Sequence, residues 1–594
     1  MNHEPSVLLH SFNRQRDTGS FSFSGLIADV IATSIEQVIP ALEQVEGHLA
    51  RGFHAAGFIA YEASAAFEPA LTTRTAGDFP LLWFGIFEKR GSAVIRAESQ
   101  GLPSRWESSS WQSDITAEDY VEAVNRIRDY IAAGDVYQVN FTFRRRFNFS
   151  GDPRAFYRDI CRTQPASFCA FLDLGRYQLL SASPELFIRL EKGKISVRPM
   201  KGTSLRGRWP DEDKKEAQNL KNCPKELAEN LMILDLLRND LGKIAETGSV
   251  KVESMFDLET LPSLHQMTSS ISATIRKKCG LVELFRAVFP CGSITGAPKK
   301  RAMEIIRELE CSPRGIYTGS IGYLSPAGPE GGYEGAFSVA IRTIILDSET
   351  GEGEMGVGSG ITWDSAANLE LEECLAKGSF ARRIMPEFKL VETMLYHQEA
   401  GYFLFDEHLA RLGFSASYFG FSFRRESVRK VLIRRAAQFS GNRKVRLLLS
   451  AAGIFTMEDE AIADYGIETD LPAVFSGTAV NSKDPFLFHK TTNRDLYRRE
   501  AAKRKDGAEV LFLNEREEVT EGANTNIVAR LNGVLVTPPV HCGLLPGVFR
   551  GELLHQGLIT ESVIDRKELE DAEEIFLVNS VRKWRKAKLV GFTQ

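Results

Sequence analysis

The chain has 594 residues, of which 43% are hydrophobic and 25% charged, and its formal net charge is -5 at pH 7. This length is too great for one core and predicts two or more domains, while the balanced composition excludes collagen-like and disordered classes. The net charge gives no general attraction to nucleic acid or to an acidic membrane. The basic runs at 144–146 and 498–499 are interpreted as solvated surface.

The sequence shows no targeting segment and one domain boundary. No early apolar run resembles a secretory signal, and no stretch approaches the roughly 18 apolar residues of a membrane span. The eight cysteines never form a C-x-x-C pair, which favours reduced thiols and a cytoplasmic location. Pro386 interrupts a helical pattern before a strand-like segment at 388–391, so a boundary is expected there. We expect an amino-terminal segment at 1–110, a catalytic domain at 111–385 and a second domain at 388–594.

Three elements near the first motifs are predicted from periodicity. Residues 116–133 form a helix capped by Thr116, with Asp119 three residues on and Gly134 as its stop. Its apolar face comprises Val121, Val124, Ile127 and Ile131. A strand follows, with inward residues Tyr137, Val139, Phe141 and Phe143. A second helix begins at 225, with Leu227, Leu231, Leu234 and Leu241 predicted to face inward.

Two helices each offer a pair of carboxylates. Glu226 and Glu229 are three residues apart, and so are Glu370 and Glu373, a spacing that brings each pair to one helix face. Together they could hold Mg²⁺, which prefers oxygen ligands and keeps several waters. The alternative is that both are solvated helix faces, with Glu373 paired to Lys377 at i, i+4.

Seven motifs appear in order between residues 134 and 361: GDVYQVN at 134–140, SPELF at 183–187, RPMKGT at 198–203, AENLMILDLLRND at 228–240, FPCGSITGAPK at 289–299, AIRT at 340–343 and GVGSGI at 356–361. This series resembles the chorismate-utilising enzymes, the family of anthranilate, aminodeoxychorismate, isochorismate and salicylate synthases. The resemblance covers about 110–385, and GFIAYE at 57–62 is similar to the family's first segment.

The resemblance implies a site for chorismate, a dicarboxylate, with Mg²⁺ held by Glu229 and Glu373 and supported by Glu226 and Glu370. It also implies substrate contacts from His265, Thr295, Tyr317, Arg342, Gly358 and Gly360. Arg342 offers a bidentate fork to a carboxylate, and glycines leave backbone amides open to one. The match at His265 is imperfect, because Gln266 stands where an apolar residue is expected.

The residue at position 201 distinguishes between members of this family. The aminodeoxychorismate synthases carry lysine at this place, whereas the anthranilate synthases usually carry alanine. A lysine that adds at C2 and expels the C4 hydroxyl divides the amination into two allylic displacements. We expect burial or nearby cations to lower the pKa of Lys201, because the attacking amine must be neutral. Glu185 matches the general acid and base.

The ammonia source is expected to be a separate subunit. None of the eight cysteines lies on the Gly-x-Cys-x-Gly turn of class I glutaminases, and Asn2 follows Met1 where a class II enzyme needs cysteine. A glutamine amidotransferase partner is therefore predicted.

A second set of motifs occupies the last 200 residues: HLARL at 408–412, HKTTNR at 489–494, VTEGANTNI at 519–527 and LLPGVFR at 544–550. The set resembles the fold-type IV pyridoxal-phosphate enzymes over about 388–592, a group that includes aminotransferases and aminodeoxychorismate lyase. It implies that Lys490 binds the cofactor covalently and that Glu521 contacts the pyridine nitrogen. It also implies that Arg411, with backbone amides near Asn526 and Val548, binds the phosphate.

Two positions depart from this second pattern. Phe549 replaces a threonine of the aminotransferases, and Lys583 replaces an expected glycine. We predict an α+β fold, with mixed β-sheets flanked by helices in a chorismate-utilising domain, followed by a fold-type IV domain. The function expected is chorismate amination followed by release of pyruvate to give 4-aminobenzoate. The alternatives are an anthranilate synthase fused to an aminotransferase and a non-catalytic second module; a homodimer through that module is implied by the resemblance.

Overall fold

The computed structural model describes residues 5–12, 19–93, 106–261, 264–277, 279–327, 332–382, 386–462, 470–504 and 507–590. The chain forms two compact units. Unit 1 takes Met1–Ser204, Ala217–Thr260 and Leu264–Met385, and unit 2 takes Leu205–Glu216, Leu261–Ser263 and Pro386–Gln594. Residues 383–385, at the boundary expected from sequence, lie outside the described residues, as do residues 94–105.

The described residues of unit 1 form a network of 19 hydrogen-bonded strands. The strands are β1 Ser6–His10, β2 Phe21–Ala32, β3 His54–Ile59, β4 Leu82–Ser92, β5 Trp106–Ser108, β6 Gln112–Ser113, β7 Gln138–Gly151, β8 Phe168–Asp173, β9 Tyr177–Ser183, β10 Leu186–Glu191, β11 Lys194–Arg198, β12 Met200–Leu205, β13 Lys251–Thr260, β14 Leu264–Thr274, β15 Gly296–Ala297, β16 Ser320–Pro326, β17 Tyr333–Val339, β18 Thr343–Asp347 and β19 Glu352–Ile361. The β7–β19 ladder pairs ten residues antiparallel, from Glu352 with Asn148 to Ile361 with Val139.

Up to residue 378, the described part of the chain forms nine helices in this order: α1 Ile35–Ala50, α2 Ser64–Phe67, α3 Ala117–Ala132, α4 Pro153–Thr163, α5 Pro210–Lys221, α6 Pro224–Gly242, α7 Leu281–Val288, α8 Lys299–Leu309 and α9 Ala367–Gly378. The prediction of α3 is confirmed: Thr116 accepts a hydrogen bond from the Asp119 amide, and Val124 and Ile127 are buried. The prediction of α6 is also confirmed in extent, because this helix begins at Pro224.

Two details of these elements differ from the predictions. Tyr137 precedes β7 and is 72% exposed, whereas both faces of the strand from Gln138 to Arg144 are largely buried because β7 lies inside the sheet. Leu231 is 48% exposed, since α6 turns its Asn230, Ile233, Leu234 and Leu237 side inward. Periodicity located the helix, but it did not identify the arc that other elements cover.

Unit 2 contains a four-stranded sheet and an eight-stranded sheet. Its strands are β20 Leu390–His397, β21 Gly401–Tyr402, β22 Arg443–Leu449, β23 Phe455–Ala461, β24 Leu471–Phe475, β25 Glu509–Leu513, β26 Val519–Gly522, β27 Asn526–Leu531, β28 Val534–Thr537, β29 Thr560–Glu561, β30 Glu574–Asn579 and β31 Lys583–Leu589. Its helices are α10 Phe405–Phe419, α11 Arg425–Ala436, α12 Asp495–Ala502, α13 Val548–His555 and α14 Arg566–Glu570. The larger sheet mixes parallel and antiparallel pairs.

The predicted α+β class is confirmed, since helices flank large sheets in the chain. All eight cysteines are free thiols in the structure. Within the described ranges, every helix is too short or too polar to cross a lipid bilayer.

Candidate active sites

Lys201 lies on β12, and side chains from two neighbouring elements hold the backbone of this strand. Asn230 of α6 donates a hydrogen bond to the Lys201 carbonyl at 3.2 Å, and Gln266 of β14 donates one to the Gly202 carbonyl at 2.9 Å. Gly202 has a φ of +89°, and a Cβ there would lie 3.2 Å from Glu226 Oε2. The segment that carries Lys201 is therefore fixed close to the carboxylates of α6.

Glu185 is buried close enough to Lys201 for their charges to interact. Ser293 Oγ donates a hydrogen bond to Glu185 Oε1 at 2.6 Å, and the Met200 amide donates another. Burial raises the pKa of Glu185 to about 7, and the hydrogen bond from Ser293 and the charge of Lys201 offset this only in part. A carboxyl group with such a pKa can both donate and accept a proton at neutral pH.

The β7–β19 ladder forms a wall beside Lys201. A Cβ at Gly360 would lie 2.2 Å from Gln138 Nε2 and 3.1 Å from Lys201 Nζ. A Cβ at Gly358 would lie 2.5 Å from the Phe141 carbonyl oxygen. Both places therefore require glycine, which lets other groups approach the β19 backbone closely.

Arg342 lies near Tyr317, and Tyr317 is buried whereas Arg342 is partly buried. Arg342 has a φ of +52°, a conformation that is uncommon outside glycine and often occurs at functional sites. Burial lowers the pKa of Arg342 to about 10, and its Nη1 has no hydrogen-bond partner among the residues that the structure describes. The Tyr317 ring lies against Gly356, with the Arg144 guanidinium 5.1 Å from its centre. A partly buried cation with an unsatisfied donor suits a carboxylate ligand.

Thr295 and His265 are buried, and protein groups already engage both side chains. The Thr295 hydroxyl donates to the Cys291 and Gly292 carbonyls, each at 3.2 Å. His265 Nδ1 lies 3.1 Å from Thr260 Oγ1. These hydrogen bonds fix the 291–295 turn and the β13–β14 pair, while contact of the two side chains with a substrate ring stays a prediction.

The four predicted metal ligands interact electrostatically without forming a compact cluster. Burial raises the pKa of Glu229, and the negative charges of Glu370 and Glu373 raise it further. The pKa of Glu226 is raised by burial and by the charge of Glu229. Glu370 accepts a hydrogen bond from Ser365 at 2.7 Å, whereas Glu373 is half exposed and pairs with Lys377 at 2.7 Å. Among the residues that the structure describes, no three His, Cys, Asp or Glu side chains are placed to hold a metal ion. The donor chemistry fits a hard cation, but Glu373 would have to leave Lys377 to bind one.

In unit 2, Lys490 lies beside β20 in the interior. The Val391 amide donates to the Lys490 carbonyl at 2.8 Å, which fixes the lysine backbone against the strand. Burial and the charges of Arg411 and Arg494 lower the pKa of Lys490 to about 8. An amine with such a pKa is available as a nucleophile under mildly basic conditions.

Glu521 lies on β26 and is held by three donors. Tyr497 Oη donates to Oε1 at 2.9 Å, Arg494 approaches the same oxygen at 3.4 Å, and the Leu545 amide donates to Oε2 at 3.0 Å. Burial raises the pKa of Glu521, while Arg494 and Tyr497 lower it. This carboxylate is fixed in the interior, as a partner for a ring nitrogen must be.

The groups proposed for phosphate binding come from α10, β27 and α13 and meet at the loop formed by residues 545–547. Asn526 Nδ2 donates to the Leu545 carbonyl at 2.9 Å, and a Cβ at Gly547 would lie 1.9 Å from Asn526 Oδ1. Val548 begins α13, whose cap residue Gly547 has no side chain to satisfy the first amides. Arg411 Nη1 donates to the Pro546 carbonyl at 3.2 Å. Helix-start amides beside an arginine fit a phosphate group, so the residues present fit pyridoxal phosphate.

Structural reasons account for both departures from the second pattern. Phe549 is buried 5.8 Å from the Phe403 ring centre and packs in an apolar cluster with Val528 and Leu553. Lys583 has a φ of +56°, the left-handed conformation that glycine adopts most easily, which explains why glycine was expected there. Its Nζ lies 4.9 Å from the centre of the Phe403 ring.

Residues 12–383, well over half of the chain, match the model of the chorismate binding enzymes. The chain belongs to the chorismate binding enzyme family. Residues 389–590 of this chorismate binding enzyme match a second model, that of amino-transferase class IV. The two matches follow one another along the chain with only a few residues between them.

Relatives of this chorismate binding enzyme carry more than one name. Aminodeoxychorismate synthase component 1 of Salmonella typhimurium is 43% identical over 282 residues, 47% of this chain and 61% of that protein. Anthranilate synthase component 1 of Aquifex aeolicus is 38% identical over 283 residues, 48% and 55% of the two chains. The crystal structure of anthranilate synthase component I from Streptococcus pneumoniae has a TM-score of 0.53 at 25% identity, and covers 64% of this chain and 93% of its own. The matched region of the chain thus spans about three fifths or less of the length of these two curated relatives.

Two residues at the first site of this chorismate binding enzyme were not identified from the sequence. Ser293, the hydrogen-bond donor to Glu185, lies 108 residues away along the chain, and periodicity cannot indicate such a contact. Gln266, noted only as a mismatch, contacts Gly202 and accepts a hydrogen bond from Thr203 at 3.2 Å. The polar side chain at a place where an apolar residue was expected was the signal that it had a partner.

Gly360→Ala should impair the first site without unfolding unit 1. The added methyl would displace Gln138 and Lys201, and a misplacement of about 1 Å costs on the order of a hundredfold in rate. Steady-state kcat/KM for chorismate with ammonium measures this. Gly47→Ala is the matched control, since a Cβ in that helix meets nothing within 4 Å. Equal activity in both variants would show that Gly360 is not beside the reacting groups.

Attachment of pyridoxal phosphate to Lys490 should accelerate as the pH rises to about 8 and then level off. The neutral amine reacts, and its fraction grows until the pH passes the lowered pKa of Lys490. Stopped-flow absorbance on apoprotein measures the rate, with Lys490→Ala as the blank. A rate that climbs steadily to pH 10 would contradict the lowered pKa.

Proposed function

We propose that this chain makes 4-aminobenzoate in two steps: unit 1 aminates chorismate to 4-amino-4-deoxychorismate, and unit 2 removes pyruvate from that product. The observation that carries the first assignment is the position of Lys201, next to Glu185 and to the glycine wall of β19. The observation that carries the second is Lys490, near both Arg411 and Glu521.

In the first step, Lys201 Nζ adds to C2 of chorismate while the ring double bonds shift and the C4 hydroxyl leaves as water. Glu185 supplies the proton for that water, since its raised pKa of about 7 keeps a large fraction of the carboxyl groups protonated at neutral pH. Ammonia then attacks C4, the double bonds shift back, and the Lys201 amine is released. Glu185 accepts the proton that the incoming ammonia loses, and Ser293 holds its carboxyl group in place. Arg342 would bind one substrate carboxylate through its unpaired Nη1.

In the second step, unit 2 converts aminodeoxychorismate to 4-aminobenzoate and pyruvate. Pyridoxal phosphate, when bound, withdraws electrons from the substrate carbon that bears the amino group and acidifies its C–H bond. Lys490 holds the cofactor and then carries the proton from that carbon. Glu521 would hold the ring nitrogen, and Arg411 with the first amides of α13 would bind the phosphate. Elimination of pyruvate leaves an aromatic ring.

We further propose three associations. Mg²⁺ would be held by Glu229 and Glu373, supported by Glu226 and Glu370, and would neutralise one carboxylate of chorismate. A glutamine amidotransferase subunit would deliver ammonia. A homodimer through unit 2 is proposed from the resemblance to fold-type IV enzymes.

The Lys490→Ala chain tests whether unit 1 catalyses the first step and unit 2 the second. With chorismate, ammonium, Mg²⁺ and pyridoxal phosphate it should accumulate aminodeoxychorismate, whereas the unchanged chain should release 4-aminobenzoate, both identified by mass spectrometry. The rival assignments give other results. An anthranilate synthase joined to an aminotransferase would release anthranilate, and a non-catalytic second unit would leave aminodeoxychorismate as the final product of the unchanged chain.

A further inference from the structure

A buried polar cluster near Lys490 contains Glu392, His408 and Arg411. Glu392 is on β20, 1% exposed, while His408 and Arg411 are three residues apart on α10 and so share a face. His408 Nδ1 lies 2.7 Å from Glu392 Oε2. Arg411 donates from Nε to Glu392 Oε1 at 2.9 Å and from Nη2 to Oε2 at 2.7 Å. Both carboxylate oxygens therefore accept hydrogen bonds from one edge of the guanidinium, in a bidentate pair.

Glu392 is charged in this cluster. Burial raises the pKa of Glu392, but the charges of Arg411 and His408 and their hydrogen bonds outweigh it and hold the pKa at about 2. Arg411 also donates from Nη1 to the Pro546 carbonyl, in the loop that leads into α13. A guanidinium has five N–H groups, and these three hydrogen bonds leave one on each terminal nitrogen. The two free N–H groups form a fork at the end of the side chain, which suits a phosphate.

We propose that Glu392 is a positioning residue, which fixes Arg411 so that its free fork faces the phosphate of the cofactor bound at Lys490. This inference rests on the proposed binding of pyridoxal phosphate by unit 2. Glu392 does not touch the cofactor; it acts through Arg411, and through Arg411 on the loop at Pro546. Without the carboxylate, a long side chain with many rotamers would have to be ordered when the phosphate binds, at a cost in affinity.

A purely structural role for Glu392 makes a different prediction, and two ligands separate the roles. Pyridoxal has the same ring and aldehyde as pyridoxal phosphate but lacks the phosphate. If Glu392 positions Arg411, its loss should weaken only the part of binding that depends on phosphate. If Glu392 only supports the fold around Lys490, its loss should weaken both ligands in the same proportion.

The experiment measures the affinity of apoprotein for both ligands by the absorbance change on attachment to Lys490, in the full-length chain and in Glu392→Gln. The expected result is a loss of about tenfold or more for pyridoxal phosphate, with pyridoxal within about twofold of the unchanged chain. Equal losses for the two ligands, or an unchanged affinity for pyridoxal phosphate, would overturn the proposal.

Two further variants keep the test decisive. Glu561→Gln removes the carboxylate from another buried arginine of unit 2, Arg550, 2.6 Å away, and should leave the ratio of the two affinities unchanged. If Glu392→Gln does not fold, Glu392→Asp keeps the charge but shortens the reach, and should lower the same ratio at an unaltered melting temperature. If the unchanged chain attaches both ligands and the Asp or Gln variant shows the same ratio of the two affinities, only the role of Glu392 is overturned. An unchanged chain that attaches neither ligand overturns the proposed cofactor as well.

Discussion

Lys201→Ala should reduce amination of chorismate by roughly a thousandfold or more, which is the scale of effect when a covalent nucleophile is removed. Without the amine at C2, ammonia would have to displace the C4 hydroxyl directly. The charged groups that interact with Lys201 include Glu185, Glu226 and Glu229, so the variant removes the amine that lies among these carboxylates. Chorismate consumption and product formation, both followed by chromatography, measure the loss.

The matched control for this variant is Lys194→Ala, which removes an exposed lysine from the neighbouring strand β11. It should keep full activity. A Lys201→Ala chain that still aminates chorismate within a few-fold of the unchanged rate would mean that no covalent lysine step occurs, as in the anthranilate synthase alternative.

Glu185→Gln should slow amination by about a hundredfold or more, because the glutamine amide can neither supply nor accept the proton. In the unchanged chain the rate should depend on pH near 7, where burial places the pKa of this carboxyl group. Glu185→Gln should lose this pH dependence. The pH profile of kcat/KM for both chains measures the change, and an identical profile would exclude Glu185 as the acid and base.

The same substitution should stabilise the protein at high pH. The pKa of Glu185 is about 7 in the folded chain and 4.5 for an ordinary glutamate, so the folded state holds the proton more tightly. The contribution of Glu185 to the stability of the unchanged chain is thus greatest at low pH and is lost as the pH rises through about 7. Glu185→Gln removes that loss, worth roughly 2 to 3 kcal/mol in the free energy of unfolding between pH 5 and pH 8. Denaturant unfolding at both pH values checks this; a gain of equal size at both would contradict it.

The sequence predicted the features that depend on local physics. Helix α3, with Thr116 at its start, follows from a capping residue and an apolar period, and both act within a few residues. The strand β7 follows from alternation. The motif series named Lys201 and Lys490, because each motif is a short run of residues whose order can be read directly.

Features that depend on distant contacts could not be predicted in this way. Leu231 fits the apolar period of α6 but faces outward, because periodicity does not identify the covered arc. Ser293 reaches Glu185 only through the folded sheet. Lys583 occupies a glycine-like conformation, which depends on the strand turn that it closes rather than on its own side chain. Glu392 showed no motif at all, and only the fold brings it to Arg411.

The position at which nitrogen enters the ring tests the central claim most directly. The unchanged chain would be incubated with chorismate, ¹⁵N-ammonium, Mg²⁺ and pyridoxal phosphate, and the aromatic product would be identified by mass spectrometry and NMR. The two-step account predicts ¹⁵N-labelled 4-aminobenzoate together with pyruvate. Labelled anthranilate carries its nitrogen on the ring carbon next to the one that bears the carboxylate. That product would contradict the role assigned to Lys201 and with it the proposed function.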